Sequence, residues 1–310
     1  MCGGQERNRL YSIGVDIGGT KVAIAIVEDS GQIMEQVVIP TNLSIPPEQM
    51  IEIMVQKINE LLQMLNITET DIKGIGIGAP GPLDNNVGII KNPPNLRNWI
   101  DVPIKQLFKQ AFQLPVFVDN DANAATLAEL KFGAGRDSDH FVFMTVSTGV
   151  GSGIVADGNL LRGKNGSAGE IGHIVVDPSF GPCICGQQGC LESIASGTAI
   201  AKQGSKIIGK ELTTKEVFEL YELGNPEIVS YLNKVFRVLG TACVTLINTF
   251  DTEKIVIGGG VSKVGEPFFK PIQEYVRQTA LSQEGRNTVI VPAQLSQDAG
   301  VIGAAALCFE

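Results

Sequence analysis

Apolar residues along the chain follow two rhythms, and they alternate. A short apolar run from Tyr11 to Ile17 reads as a strand that enters Gly18-Gly19-Thr20, and Lys21 to Val27 alternates again. VDIGGTKVAIAIV therefore predicts a β-hairpin with a glycine turn, and Gln32 to Ile39 a third strand. From Pro46 the period changes. Ile51, Met54, Val55, Ile58, Leu61, Leu62 and Leu65 recur at the spacing of an amphipathic helix. Ile72 to Gly78 returns to strand and runs into the turn-rich Ala79-Pro80-Gly81-Pro82, Pro103 starts a helix ending near Phe112, and Val116 to Val118 is a buried strand. Helical pattern resumes at Asp121.

The second half opens like the first. Phe141 to Ser147 is a strand, Thr148-Gly149-Val150-Gly151 a glycine turn and Ser152 to Ala156 a second strand, a weak echo of Ile13 to Ile26 that suggests two lobes on one plan. Helices are expected at about 192–202, 214–221, 226–250, 267–279 and 298–307, with strands at 254–257 and 288–291. Strands and helices alternate throughout, so the fold class is α/β.

Composition narrows the function. A 310-residue chain with 44% apolar residues can bury a large core, and its net charge of −9 without a Lys/Arg cluster argues against a nucleic-acid surface. The first ten residues hold no apolar signal region, and no run of about 18 apolar residues occurs, so a soluble cytoplasmic protein away from membranes is expected. Six cysteines, three of them bunched, look more like metal ligands and buried thiols than a disulfide framework. Cys243 and Cys308 lie in apolar helices and read as buried thiols, Cys2 as part of a loose tail.

Two features carry candidate chemistry. Asp16-Ile17-Gly18-Gly19-Thr20, Ser147-Thr148-Gly149-Val150-Gly151 and Gly258-Gly259-Gly260 each follow a buried strand, where glycine lets backbone N–H groups approach an anion. Any one alone reads as a tight turn, and neither GxGxxG nor GxxxxGK[ST] is present. The stretch Gly169–Glu192 gathers His173, one of two histidines, with Cys183, Cys185 and Cys190, and has Glu170 and Glu192 at its edges. Such crowding of scarce ligand types suggests a bound metal, as chemistry or as clamp.

VDIGGTK, GAPGP, VDNDANAA, TGVGSG, GEIGHIVVD, CICGQQGCLE and VIGGGVS, in that order, closely resemble the ROK family of sugar kinases and sugar-responsive repressors, from about Ile13 to the C-terminus. The resemblance implies an actin-like, hexokinase-like (ribonuclease H-like) fold of two α/β lobes with a cleft between them. The small lobe is expected at 1–118 with the C-terminal helix at about 298–310, the large lobe at 119–297. It further implies ATP-dependent phosphorylation of a hexose, with glucokinases nearest and a place in carbohydrate metabolism (glycolysis), and a homodimer or homotetramer.

Roles carry over where residues match. Asp121 falls at the family's catalytic base, which accepts the proton of the attacking hydroxyl while positioning and electrostatics supply most of the acceleration. Asn120, Glu170, His173 and Glu192, with Gly78 and Asn95, match sugar contacts. Asp16, Gly18, Gly19, Thr20 and Lys21 resemble the first phosphate element, Thr148 and Gly149 the second, Gly259 and Gly260 the adenosine element. Asp16 is expected to help hold Mg²⁺ through water. His173, Cys183, Cys185 and Cys190 match the family's zinc pattern, and four such ligands with no open position make a structural tetrahedral site. One ring nitrogen of His173 on the metal leaves the other N–H free to donate to the sugar.

Blander readings stand beside these. Asp119 and Asp121 straddle a strand end where Asp commonly caps a helix, Asp298 reads as the N-cap of the last helix, Glu170 alone would be a surface carboxylate, and His140 a loop residue. Against a DNA-binding regulator stand the acidic balance and the dozen residues before the first strand. Against a zinc hydrolase stands the closed ligand set, and Asp121 separates a kinase from a non-catalytic sugar-sensing module. Within the family the alternatives are an N-acetylhexosamine kinase (mannosamine or glucosamine type), a fructokinase or an allose kinase.

Overall fold

The structure, a computed structural model, describes Leu10–Phe309; Cys2 lies outside the described residues. In chain order the first strands are β1 (Tyr11–Ile17), β2 (Lys21–Glu28) and β3 (Ile33–Pro40), followed by helix α1 (Pro47–Met64) and strand β4 (Ile72–Ala79). A small ribbon, β5 (Leu83–Asp84) with β6 (Ile89–Ile90), leads to α2 (Ile104–Ala111), β7 (Val116–Asn120) and α3 (Asp121–Phe132). Next come β8 (Phe141–Val146), β9 (Val150–Ala156), β10 (Asn159–Leu160), α4 (Leu191–Ala195) and α5 (Gly197–Ile208). Then follow α6 (Thr214–Glu222), α7 (Pro226–Phe250), β11 (Lys254–Gly258), α8 (Glu266–Thr279), α9 (Gln283–Arg286), β12 (Val289–Pro292) and α10 (Ala299–Ala306).

These elements form two units. The first comprises the described parts of Met1–Gly133, Arg162–Ala168 and Gln297–Glu310; the second comprises Ala134–Leu161 and Gly169–Ser296. The boundary expected after residue 118 instead falls after Gly133. The reason is packing: Leu127 of α3 shares a cluster with Ala306 and Leu307, and Gly303 brings α10 against the Ala124 carbonyl.

In the first unit the sheet order is β3-β2-β1-β4-β7. β1 pairs antiparallel with β2 and parallel with β4, and β4 pairs parallel with β7. Both faces of β1 and β4 are buried, so their sequences are nearly continuous in apolar and small residues. One face receives α1 through Met50, Ile51, Met54, Ile58 and Leu61, the stripe the periodicity predicts. The other face is built from Gly14, Gly74 and Gly76, and the helix AGVIGAAA of α10 lies on it so closely that a Cβ at Gly76 would overlap the Ala304 carbonyl. Small residues on both sides are what permit that approach.

The second unit repeats the plan with other side chains. Its order is β10-β9-β8-β11-β12, with β8–β9 antiparallel and β8–β11–β12 parallel. The two glycine turns expected from the sequence do connect hairpin strands in both sheets. α7 runs over this sheet with Leu232, Val235, Leu239, Ala242, Cys243 and Leu246 buried. Its start is set by Asn225, whose side chain accepts the Ile228 N–H, with Pro226 at the first helical position, where a missing N–H costs nothing. An aromatic chain fills the layer: Tyr221 and Phe268 each meet Phe236 edge-on, at ring distances of 5.6 and 6.4 Å.

Two expectations need correction. The helix read at 192–202 is broken at Ser196, which is extended (ψ 156°) and caps α5 by accepting the Ala199 N–H, so α4 and α5 are separate helices. Asp298 does precede α10, but its side chain makes no capping bond, since its backbone is already helical (φ −94°, ψ −6°). No helix among the described residues is long and apolar enough to cross a membrane.

Candidate active site

In the first unit the parallel register aligns the chemistry. Asp16 of β1 lies opposite Gly78 of β4, and Gly78 and Ala79 lie opposite Asp119 and Asn120 of β7. The predicted Asp16, Gly78, Asn120 and Asp121 are thus brought to the carboxyl ends of three neighbouring strands, where open α/β sheets bind ligands. A Cβ on Gly78 would stand 3.7 Å from the Asp121 Cα and 3.8 Å from Asp16 Oδ1, so glycine leaves room between the two acids. The first glycine turn is closed by the Gly18 N–H donating to the Lys21 carbonyl at 2.9 Å, and the Thr41 hydroxyl donates to the Gly18 carbonyl at 2.7 Å. Asn95 packs its backbone against Gly19, which joins the irregular NPPN loop to that turn. Thr20 and Lys21 are exposed beside it.

Asp119 and Asp121 both read from the sequence as candidate caps, but the cap of α3 is Asn120. Its side-chain oxygen accepts the Ala122 N–H at 2.9 Å and the Asn123 N–H at 3.3 Å. Asp119 is buried and serves a network that the sequence did not disclose. One oxygen accepts the Asn120 N–H (2.8 Å) and the Asn123 side-chain amide (2.9 Å), and the other accepts Arg162 Nε at 2.6 Å. Arg162 carried no motif, and only its place just before the GEIGH stretch could have drawn notice. Burial pushes the Asp121 carboxyl up, against the lowering effect of the Ala122 N–H. Burial, then the neighbouring Asp121 charge, pushes Asp16 up to about 7, opposed by Lys21. Two acids this close cannot both ionise freely, which is how a carboxylate is tuned toward neutral pH.

In the second unit Ser147 and Gly197 bracket the turn after β8: the Gly197 N–H donates to the Ser147 carbonyl at 2.7 Å and the Thr198 hydroxyl to the Thr148 carbonyl at 2.9 Å. A cavity of about 960 Å³ extends from there between α5, α6 and the turn after β11. Thr148 and Gly260 line it, Phe218 and Val264 contribute apolar lining, and Lys215 and Glu222 are among its polar lining. Gly259, expected at this site, adopts φ +90° and lies against the Val146 backbone, which only glycine does without strain. Glu170 is exposed and Glu192 half-buried, its Oε2 accepting the Val150 N–H at 3.0 Å.

The four expected ligands do converge. One donor atom each from His173, Cys183, Cys185 and Cys190 lies within 4.8 Å of all the others. Cys183 Sγ is 3.6 Å from His173 Nδ1, and Cys185 Sγ is 3.6 Å from Cys190 Sγ. A tetrahedron with metal–sulfur bonds of about 2.3 Å has edges of about 3.8 Å, so the set can hold one ion. Gln187 fastens it: its backbone N–H holds the Cys185 thiol down to about 6, and its side-chain amide donates to the His173 carbonyl at 2.9 Å. His140, the other histidine, is a half-buried loop residue whose Nδ1 accepts the Asp157 N–H. Cys243 and Cys308 are thiols pushed up to about 12 by burial.

The model of the ROK family matches residues 12–310. The chain is 38% identical over 308 residues to a glucokinase of Halalkalibacterium halodurans, covering 94% of this chain and 93% of that protein. It is 34% identical over 316 residues to a glucokinase of Thermotoga maritima, covering 97% and 98%. Among solved structures, a ROK family glucokinase from Streptomyces griseus in complex with glucose and AMPPNP superposes with a TM-score of 0.78 at 33% identity, covering 96% of this chain and 98% of that one.

Proposed function

The chain belongs to the ROK family, and from that premise we propose that it is an ATP-dependent hexokinase, a glucokinase that phosphorylates the 6-hydroxyl of glucose. The observation that carries the reading is Asp121: a carboxyl with a raised pKa, at the first residue of α3, flush with the ends of the parallel strands and beside Asp16. In the reaction its carboxylate accepts the proton of the 6-hydroxyl as that oxygen bonds to the γ-phosphorus, and the bond from phosphorus to the departing ADP oxygen breaks. Burial that raises this carboxyl above the ordinary carboxylate range makes it a stronger proton acceptor.

Other roles follow the chemistry of each group. Asn120, Glu170, His173 and Glu192 offer amide, carboxylate and imidazole partners to hexose hydroxyls, and Gly78 and Asn95 join them. Gly18, Gly19, Thr20 and Lys21, with Thr148 and Gly149, serve the phosphates, and Asp16 the Mg²⁺ that travels with the nucleotide. Gly260 lines the second unit's cavity, and Gly259 turns the chain into it against the Val146 backbone. The cavity's lining balances Lys215 and Lys263 against Glu219 and Glu222 alongside apolar Phe218 and Val264, which suits a nucleoside better than an inorganic phosphate chain. Zn²⁺ is the ion that suits three sulfurs and an imidazole, and it supplies rigidity to the loop that bears His173.

A coupled assay of the purified protein with ATP, Mg²⁺ and a panel of hexoses, N-acetylmannosamine and fructose included, tests this directly. Glucose is expected to turn over, and Asp121→Asn to lower kcat by about 10²–10⁴-fold. Turnover of no sugar overturns the enzyme; near-normal turnover by Asp121→Asn overturns the base.

A further inference from the structure

Glu192 is tied to the phosphate turn of its own unit. Its Oε2 accepts the Val150 N–H at 3.0 Å, and a Cβ on Gly149 would lie 2.5 Å from that same oxygen, so the Thr148–Gly149 turn rests directly on the carboxylate. The turn is closed by the Ser147 N–H donating to the Gly149 carbonyl at 2.9 Å. Its other two carbonyls, Ser147 and Thr148, are taken by Gly197 and Thr198 at the start of α5. One short segment, Glu192 to Thr198, thus holds the turn at three points. The metal-binding stretch is stitched to the same strand: the Ser152 hydroxyl donates to the Gly169 carbonyl at 2.6 Å, and Gly172 sits against the Val150 carbonyl with no space for a side chain.

This arrangement puts a negative charge beneath a turn whose proposed ligand is anionic. Two like charges a few ångströms apart near a protein surface repel each other before screening. A hexose hydroxyl donating to Glu192 draws that charge away from the turn. Resting on the kinase reading above, we propose that Glu192, besides contacting the hexose, is a positioning residue for the nucleotide: it fixes the Thr148–Gly149 turn through Val150 and makes nucleotide affinity depend on hexose. The coupling is positive. It is also reciprocal, since each ligand changes the other's affinity by one factor. It runs inside the second unit, through one carboxylate.

Titration calorimetry of the zinc-loaded, full-length protein with Mg²⁺ and AMPPNP, a non-hydrolysable ATP analogue, tests this, with and without saturating glucose. In the wild type, glucose is expected to tighten AMPPNP about 5–20-fold, within the range common for coupled sites. Glu192→Gln keeps an oxygen acceptor for the Val150 N–H and removes the charge. Without any glucose it is expected to bind AMPPNP several-fold more tightly than the wild type does, a gain that a merely structural glutamate would not produce. Unchanged or weaker AMPPNP binding by Glu192→Gln overturns the proposal. So does a wild-type affinity that glucose leaves unchanged, a measurement that needs no variant. Failure of the wild type to bind AMPPNP at all overturns the kinase reading itself, and this inference with it.

Discussion

The two sheets share one strand order and differ in what covers them. In the first unit, α10 lies on glycines of β1 and β4 and meets α3 through Gly303 at the Ala124 carbonyl. In the second, α7 and α8 stand off the sheet on a layer of Phe236, Phe268, Leu239 and Leu246. The carboxyl ends differ in the same way. β1 and β7 deliver acids, Asp16, Asp119 and Asp121, whereas β8 and β11 deliver backbone, the Thr148–Gly149 and Gly259–Gly260 turns. Close backbone packing leaves little water to solvate a carboxylate, so the unit built on glycine contact is also where acid pKa values climb. One topology thus supports a charge-tuned site in one copy and a large ligand-sized cavity in the other.

Three changes would break or sharpen that contrast. The largest effect is expected from Gly303→Ala, or Gly76→Ala, where the new methyl would overlap a carbonyl of α3 or α10. Neither backbone can yield alone, so the loss should exceed the ~1–3 kcal/mol usual for overpacking. Urea unfolding checks it, and a variant as stable as the parent would refute the close-contact account of the first unit. Next is Phe236→Ala in the aromatic layer, which should cost about 3–5 kcal/mol through its cavity. A loss below about 1 kcal/mol would mean that the second unit repacks freely.

Smallest is Asp16→Asn, and its sign is opposite. The folded-state pKa of about 7 stands above the ordinary 3.8. Between those values the folded chain keeps a proton that the unfolded chain has released, so this group makes stability fall as pH rises through that window. Asn in its place should remove the slope and add about 1–2 kcal/mol at pH 8, with little change at pH 4, while activity falls. Equal melts of parent and variant at both pH values would show that Asp16 is not strained by burial.

How far all this could be read from sequence depends on the range of each interaction. α7 was legible to both ends because Asn225-Pro226 starts it and a continuous 3.6-residue pattern sustains it. The Cys3His cluster was legible because four rare residues fall within eighteen positions, and local chain geometry then brings them together. The motif residues Asp16, Gly78 and Asp121 could be named, but their adjacency follows from parallel register, which no local pattern encodes. Ser196 looked like one more helical residue; its hydroxyl competes for the Ala199 N–H and ends α4. Arg162 and the bond from Glu192 to Val150 stayed hidden because each joins residues about forty positions apart through a single side chain.

The place of α10 has a consequence for how the chain is made. On the ribosome, β1 to β7 emerge early, yet one face of their sheet, at Gly14 and Gly76, is completed only by Val301, Ala304 and Ala305. The second unit, Ala134–Leu161 with Gly169–Ser296, contains all of its strands before residue 297 is translated. At about 5–20 residues per second, the half-built first sheet waits some ten seconds or longer for its closing helix. The unit that begins the sequence is therefore the last to finish, and during that wait its uncovered sheet face is open to chaperones.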